Sequence, residues 1–260
     1  MEGTDRIKAI HITREVRQHV GTVVAREFPM TIILNGTELV TLLCSPSDLR
    51  YLALGFLTSE GILKRREDLK RVIVDERKGI VHVEIAIENN AETDAIFRRI
   101  ITPGCGRGAS FYSAADTDLT VNNSTFTVRT GFIMGIMSDF QRHSELYKAT
   151  HGVHSAALSD GKTIIIFRED IGRHNAIDKI FGQCFEQNIP TGDKLILSSG
   201  RISSEIIIKI TRGGVPVIVT KSVPTDAAVK MADELGITLI GLARSSSMTV
   251  FTKDERVVTG

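Results

Sequence analysis

Short apolar runs alternate with helical segments through the second half of the chain, and this alternation limits the fold more than any other feature. The predicted strands lie at 153–158, 163–167, 194–198, 215–220, 237–242 and 249–251. Helices are predicted at 175–188, 203–212 and 225–235, where apolar residues recur at helical spacing. This order favours an α/β fold: layers around a mixed sheet that is parallel in part.

The first half has a different pattern, which predicts a smaller α+β part. Thr31–Leu34 and Glu38–Cys44 are β-rich and flank Asn35-Gly36, a strong hairpin signal. A helix should follow, with Ser47 as its N-cap and Gly61 at its end, and two further strands are predicted at 71–74 and 80–87.

A connecting helix is predicted at 132–147. We place a boundary near residue 130, which gives an N-terminal α+β part at 1–130 and a C-terminal α/β domain at 131–260.

The charge balance and the cysteine content limit the kinds of partner. The 32 Lys and Arg residues nearly equal the 31 Asp and Glu residues, which argues against broad binding to nucleic acid. No stretch reaches the roughly 18–20 apolar residues that cross a bilayer, and no apolar leader begins the chain. Three cysteines are too few for a disulfide framework. We therefore expect a cytoplasmic protein with reduced thiols and no membrane partner.

The three cysteines have different surroundings. Cys184 falls on the apolar face of a predicted helix and Cys44 ends an apolar strand, so both are predicted to be buried. Cys105 lies in the glycine-rich segment 102–108. The glycines are expected to leave its sulfur accessible, and the neighbouring Arg107 favours the reactive thiolate. The local sequence leaves open whether Cys105 is functional or an ordinary turn residue.

Zinc catalysis is disfavoured by the spacing of the candidate ligands. A zinc deaminase needs a His-x-Glu site and a Pro-Cys-x-x-Cys site. Gly108 stands where the second cysteine would be, and His151 and His154 have no matched third ligand in the sequence. We predict no metal site.

Four polar segments follow predicted strands, where open α/β sheets place their ligand sites. They lie at 168–179, 198–204, 221–225 and 242–247 and contain small hydroxyl residues with cations such as Arg201 and Arg244. A solvated connection explains any one of them. Four together favour a phosphate-bearing ligand. There is no Walker loop and no Gly-x-Gly-x-x-Gly segment, which disfavours ordinary NTP or NAD binding.

The same segments resemble the motifs of a known family over nearly the whole chain. The matching stretches are 54–62, the loop around Cys105, 152–157, 169–179, 199–201, 223–225 and 242–247. In this order they are similar to the FdhD family, the formate dehydrogenase accessory sulfurtransferases.

The resemblance implies a function, a fold and a set of residues. Members accept sulfur from a cysteine desulfurase as a cysteine persulfide and pass it to molybdenum bis(molybdopterin guanine dinucleotide), which is then inserted into formate dehydrogenase. The fold resembles that of cytidine deaminases without their zinc catalysis. The persulfide residue of the family matches Cys105. Its cofactor-binding segment matches Leu242, Ala243, Arg244, Ser245, Ser246 and Ser247.

Two positions depart from the family pattern. Many members carry Cys-x-x-Cys in the reactive loop, but the second position here is Gly108. The C-terminal loop often contains glycine, but here it reads Arg244-Ser245-Ser246-Ser247, whose hydroxyls can still bind phosphate oxygens.

Three functional hypotheses follow, of which the first is a sulfurtransferase that uses Cys105. The second is a non-catalytic chaperone that binds the guanine dinucleotide cofactor and formate dehydrogenase without using Cys105. The third, a nucleotide-metabolising enzyme, rests on fold analogy alone. A homodimer is compatible with the sequence, which does not give the oligomeric state.

Overall fold

The computed structural model of the protein describes residues 3–86 and 119–259. The strands are β1 Thr4–Ile12, β2 Arg17–Ala25, β3 Phe28–Leu34, β4 Thr37–Cys44, β5 Leu69–Asp75, β6 Ile80–Ile85, β7 Val128–Arg129, β8 His154–Ser159, β9 Ile164–Asp170, β10 Leu195–Ser198, β11 Val217–Thr220, β12 Thr238–Gly241, β13 Thr249–Thr252 and β14 Val257–Val258. The helices are α1 Leu49–Ser59, α2 Thr130–Arg142, α3 Glu145–Thr150, α4 Arg173–Gln187, α5 Ser204–Arg212 and α6 Asp226–Glu234. Within the described part, no helix is both long enough and apolar enough to cross a membrane.

A six-stranded mixed sheet forms the centre of the second half, in the order β13-β12-β11-β10-β8-β9. Strands β10, β11 and β12 are parallel, whereas β8, β9 and β13 run antiparallel to their neighbours. The predicted α/β fold with a partly parallel, layered sheet is therefore confirmed.

Both faces of this sheet are covered, which explains why its short central strands are apolar at nearly every position. Side chains alternate between the two faces of a strand. Ile196 and Ile218 belong to the core formed with α4, α5 and α6. Leu195 and Leu197 belong to a second core, in which they meet α2 residues on the opposite face.

The first half forms a four-stranded sheet, in the order β4-β3-β6-β5, with α1 packed on it. The predicted β3–β4 hairpin is confirmed, with Asn35 and Gly36 at positive φ in the turn. Helix α1 also crosses α4, and Gly55 lies against Gly182 at the crossing. The two sheets are thereby joined through a helix pair.

Two predicted helix boundaries are wrong. Ser47 is not the N-cap of α1, because Asp48 adopts φ 55° at that position and makes no side-chain capping bond. The predicted helix at 132–147 is two helices, α2 and α3. Ser144 separates them: its backbone is extended and its hydroxyl accepts a hydrogen bond from the Tyr147 N–H, which starts α3.

The antiparallel hairpin of β1 and β2 was not anticipated. Several of its apolar side chains, including Ile7, Ile10 and Ile12, are exposed. The hairpin therefore does not have one buried and one exposed face, the arrangement that strict alternation in a sequence predicts.

Candidate functional site

Five strand ends meet at one edge of the six-stranded sheet. The carboxyl ends of β10, β11 and β12 lie together because these strands are parallel. Strand β8 is antiparallel to β9 and β10, so its first residue, His154, pairs with Asp170 at the end of β9. The segments at 168–179, 198–204, 221–225 and 242–247 therefore share this edge. We call it the cationic edge, after its residues Arg173, Lys221 and Arg244.

Two adjoining cavities open at the cationic edge. The first, the aromatic cavity, has a volume of about 550 Å³ and includes Phe140, Tyr147, His151, His154 and Ile171 in its wall. The second, the loop cavity, has a volume of about 530 Å³ and is lined by Ser199, Lys221, Ser222, Val223, Leu242 and Arg244. Ser199 and Lys221 line both cavities, so the two lie side by side. Each volume is within the range of small-molecule sites.

His154 and Ser199 form the polar floor between the cavities. The Ser199 hydroxyl accepts a hydrogen bond from the Ser155 N–H at 2.9 Å and lies 3.3 Å from Nδ1 of His154. Burial, together with the charges of Arg173 and Lys221, lowers the pKa of His154 below its usual value. The imidazole is thus neutral near pH 7, and the fixed positive charge comes from the lysine and arginine residues.

Backbone hydrogen bonds hold the first three residues of the loop at 242–247. Leu242 N–H donates to Ser222 O at 2.8 Å, Ala243 N–H to Thr220 O at 3.1 Å and Arg244 N–H to Ser247 O at 2.8 Å. These bonds occupy the amides of Leu242, Ala243 and Arg244, so at the cavity wall Leu242 and Arg244 offer their side chains rather than backbone donors. Nη1 of Arg244 donates to the carbonyls of Lys221 and Ala243, which fixes the guanidinium beside the loop cavity.

The other predicted binding residues lie near the cavities but do not line them. Ser245, Ser246 and Ser247 are exposed, and Ala243 is fully buried behind Leu242. Arg201 is exposed in the loop that follows β10 and is absent from the walls of both cavities. Among the predicted binding residues, the structure therefore brings Leu242 and Arg244 to the cavity wall.

Arg173 adds a donor that sequence reasoning did not single out. Its side chain crosses Gly200 so closely that a Cβ on that glycine would lie 2.9 Å from the Arg173 Cβ. Its Nε is buried and has no hydrogen-bond partner in the described part of the chain. A buried guanidinium N–H without a partner favours an anionic ligand at this edge.

Three of the six charged residues at 168–179 are buried and the other three are half-buried, so the segment is not a solvated connection. Lys179 and Asp170 are both 0% exposed and lie 2.7 Å apart. Asp170 also accepts the Ser45 N–H at 3.0 Å and the Asn175 amide at 2.9 Å. These bonds join the loop after β4 to the start of α4, and they position Arg173 at the edge.

The predicted burial of two cysteines is confirmed. Cys44 is 0% exposed and Cys184 is 5% exposed, and burial raises the pKa of each thiol to about 12. Cys105, Arg107 and Gly108 lie outside the described residues. Among the residues described, no cluster of three or more His, Cys, Asp or Glu side chains could hold a metal ion.

The fold and the edge define a mixed α/β protein with cation-lined cavities at the carboxyl ends of its parallel strands. The model of the FdhD/NarQ family matches residues 25–258, so this chain belongs to that family. The chain is 42% identical over 233 residues to the sulfur carrier protein FdhD of Staphylococcus aureus strain MRSA252, covering 89% of this chain and 88% of the relative. The identity is 41%, with the same coverage, for the protein of that name from strain Newman.

A solved structure has the same fold. It is described as a putative formate dehydrogenase accessory protein from Desulfotalea psychrophila, and it superposes with a TM-score of 0.81 at 24% identity. The match covers 98% of this chain and 99% of that one, so the two proteins share their fold.

Proposed function

We propose that this protein carries sulfur to the molybdenum cofactor of a formate dehydrogenase. The observation that supports the proposal most directly is the pair of adjoining cavities at the cationic edge, to which the family's cofactor-binding segment contributes Leu242 and Arg244. The relatives named as sulfur carriers match over most of this chain.

The residues at the edge fit a ligand that carries phosphate groups. Lys221 and Arg244 supply cations at the loop cavity, and Ser199 and Ser222 supply hydroxyl groups. Arg173 offers its unpaired Nε nearby. The acceptor implied by the family, molybdenum bis(molybdopterin guanine dinucleotide), has diphosphates that match this donor set, and in our proposal these side chains hold it as a substrate.

The sulfur is carried by Cys105. Its thiolate attacks the terminal sulfur of a persulfide on a cysteine desulfurase, the donor cysteine leaves as a thiolate, and the new persulfide remains on Cys105. Release of that sulfur as sulfide restores the Cys105 thiolate and consumes two electrons, which come from two thiols that form a disulfide or from a reduced metal centre. The raised pKa values and burial of Cys44 and Cys184 disfavour both as carriers.

The partners are thus a cysteine desulfurase and a formate dehydrogenase, and the protein acts in the cytoplasm. The rival function is a chaperone that binds the cofactor at the same edge and delivers it without sulfur chemistry. The two functions differ in what they require of Cys105.

Co-expression with a formate dehydrogenase separates these functions. We expect Cys105→Ala and Lys221→Ala each to abolish formate oxidation by the client enzyme. As a matched control, Lys162→Ala removes an exposed lysine from the β8–β9 turn at the opposite end of the sheet and should leave the client active. Full client activity with Cys105→Ala would overturn the sulfur-carrier function in favour of the chaperone.

Calorimetry with GDP, a fragment of the acceptor, tests the site itself. Arg244→Ala should weaken binding by about 1–3 kcal/mol, the value of a charge-assisted phosphate contact. Arg201→Ala should weaken GDP binding less than Arg244→Ala does, because Arg201 lines neither cavity. A folded wild-type protein that does not bind GDP would contradict the proposed site.

A further inference from the structure

Tyr147 and His151 form an aromatic wall in the cavity beside the cationic loops. Both line the aromatic cavity, with ring centroids 5.1 Å apart and ring planes at 83°. Tyr147 is 37% exposed, a large fraction for an aromatic side chain, while Leu146 beside it is buried. The wall therefore presents aromatic surface to the cavity rather than to the core.

The backbone of α3 holds this wall in place. Glu169 on β9 accepts hydrogen bonds from the Ser144 hydroxyl, from Leu146 N–H at 3.4 Å and from Tyr147 N–H at 3.3 Å. These bonds attach the start of the short helix to the sheet. The position of Tyr147 is thus set by the main chain, and its ring is not needed to anchor the helix.

The wall lies next to the cation that the two cavities share. Nζ of Lys221 is 5.3 Å from the centroid of the Tyr147 ring. A phosphate bound to Lys221 would therefore place the attached nucleoside within reach of the tyrosine.

The two cavities also differ in chemistry. The aromatic cavity adds the apolar side chains of Phe140, Val153 and Ile171, whereas Lys221, Arg244 and hydroxyl groups dominate the loop cavity. This difference would orient a nucleotide, with its charged end at the loops and its planar base at the aromatic side.

We propose that Tyr147, supported by His151, is the stacking platform for the aromatic base of a nucleoside diphosphate group whose phosphates bind at Lys221 and Arg244. The assignment rests on the proposed function, since it takes the ligand to be the nucleotide end of the acceptor. To the proposed function the assignment adds the orientation of the nucleotide in the two cavities and the residue that recognises its base.

Binding of two probes to the full-length protein tests the assignment. GDP carries the base and inorganic pyrophosphate lacks it, so calorimetry with both separates base recognition from phosphate recognition. In the wild type we expect GDP to bind more tightly than pyrophosphate. Tyr147→Leu should weaken GDP binding by about five- to hundredfold, the range for loss of one base–aromatic stack, without changing pyrophosphate binding. Tyr147→Phe keeps the ring and should bind GDP like the wild type.

The outcomes distinguish this assignment from the function on which it rests. If folded wild type binds neither probe, the proposed function fails, and the platform fails with it. If both probes bind equally well, or Tyr147→Leu weakens both by the same factor, the phosphate site stands and the platform is overturned. Unchanged GDP binding by Tyr147→Leu would also overturn it and would leave Tyr147 as a surface aromatic that packs on Lys221.

Discussion

The chemistry available to a side chain in this protein depends on how far it is removed from water. Cys44 and Cys184 illustrate the point, because burial raises the pKa of both thiols to about 12 and suppresses the thiolate that reacts. The Sγ of Cys44 also lies 3.4 Å from Phe28 O, to which it donates. Both cysteines are therefore packing residues.

This burial predicts a selective alkylation pattern. Iodoacetamide at pH 8 should leave Cys44 and Cys184 unmodified in the folded protein, since neither forms appreciable thiolate there, and should modify all three cysteines in urea. Peptide mass spectrometry measures the modification. Cys184→Ala should retain function and lose about 1 kcal/mol of stability from the small void. Rapid labelling of Cys184 in the folded protein would contradict its assignment as a buried packing residue.

His174 predicts a pH dependence of stability. Its side chain is 17% exposed, and burial, with the charges of Lys209, Arg173 and His154, lowers its pKa from 6.5 to about 3. The unfolded chain therefore takes up a proton below pH 6.5 that the folded protein does not, and stability falls as the pH drops from 6.5 towards 3. In urea, the free energy of unfolding of the wild type should fall by about 1 kcal/mol between pH 7.5 and 5.5, and His174→Gln should remove this decrease. Equal pH slopes in both proteins would refute this account.

Among the elements, the crossing of α1 and α4 is held by the closest backbone contact. A Cβ on Gly55 would lie 1.7 Å from Asp178 O, and one on Gly182 would lie 1.8 Å from Tyr51 O. Only glycine lets the two helices approach so closely. This contact joins the N-terminal sheet to the helix that begins at the cationic edge.

Alanine substitutions in two helices should have opposite effects. Gly55→Ala forces α1 away from α4 and should cost about 3 kcal/mol or more. Gly135→Ala is the matched control, because Gly135 is exposed on α2 and an added Cβ would meet no atom within 4 Å. That variant should gain about 0.5–1 kcal/mol from helix propensity. Urea denaturation measures the stability of both variants. A Gly55→Ala protein as stable as the wild type would refute the close contact between α1 and α4.

In the molecule as a whole, buried ion pairs tie the two halves together. Nζ of Lys209 on α5 lies 2.9 Å from Glu60, which follows α1, and 3.1 Å from Asp178 on α4. Burial opposes the charge of Lys209, but Asp178 and Glu60 outweigh that effect and raise the pKa of its ammonium. The boundary placed near residue 130 stays a prediction, and these contacts cross it.

The whole chain offers one thiol for sulfur transfer if Cys44 and Cys184 are inert. After loading with a cysteine desulfurase and free cysteine, we expect one added sulfur on the Cys105 peptide by mass spectrometry. With glycine at position 108, no neighbouring thiol can displace that sulfur as a disulfide forms, so the persulfide should persist until a thiol reductant discharges it. Cys105→Ser is the control and should carry none. Sulfur on Cys44 or Cys184 would overturn the single-carrier mechanism.

The sequence determined the strands and helices between residues 153 and 252 and the grouping of polar segments at strand ends. Runs such as Leu195–Ser198 carry local signals for strands, and polar segments at strand ends predict an edge site in any α/β sheet. The cap of Thr225 on α6 and the positive φ of Gly236 after it were also predictable, because both depend on neighbouring residues alone.

Only the tertiary structure decided which polar residues face a ligand and which are buried. Asp170 and Lys179 are as polar in sequence as Arg173, yet they pair in the interior while Arg173 reaches the edge. Tyr147 meets Lys221, which lies 74 positions away in the chain, because α3 is attached to β9 at the same edge of the sheet at which β11 ends. Local patterns encode the periodicity of an element, whereas the partners of a side chain depend on contacts between segments far apart in the chain.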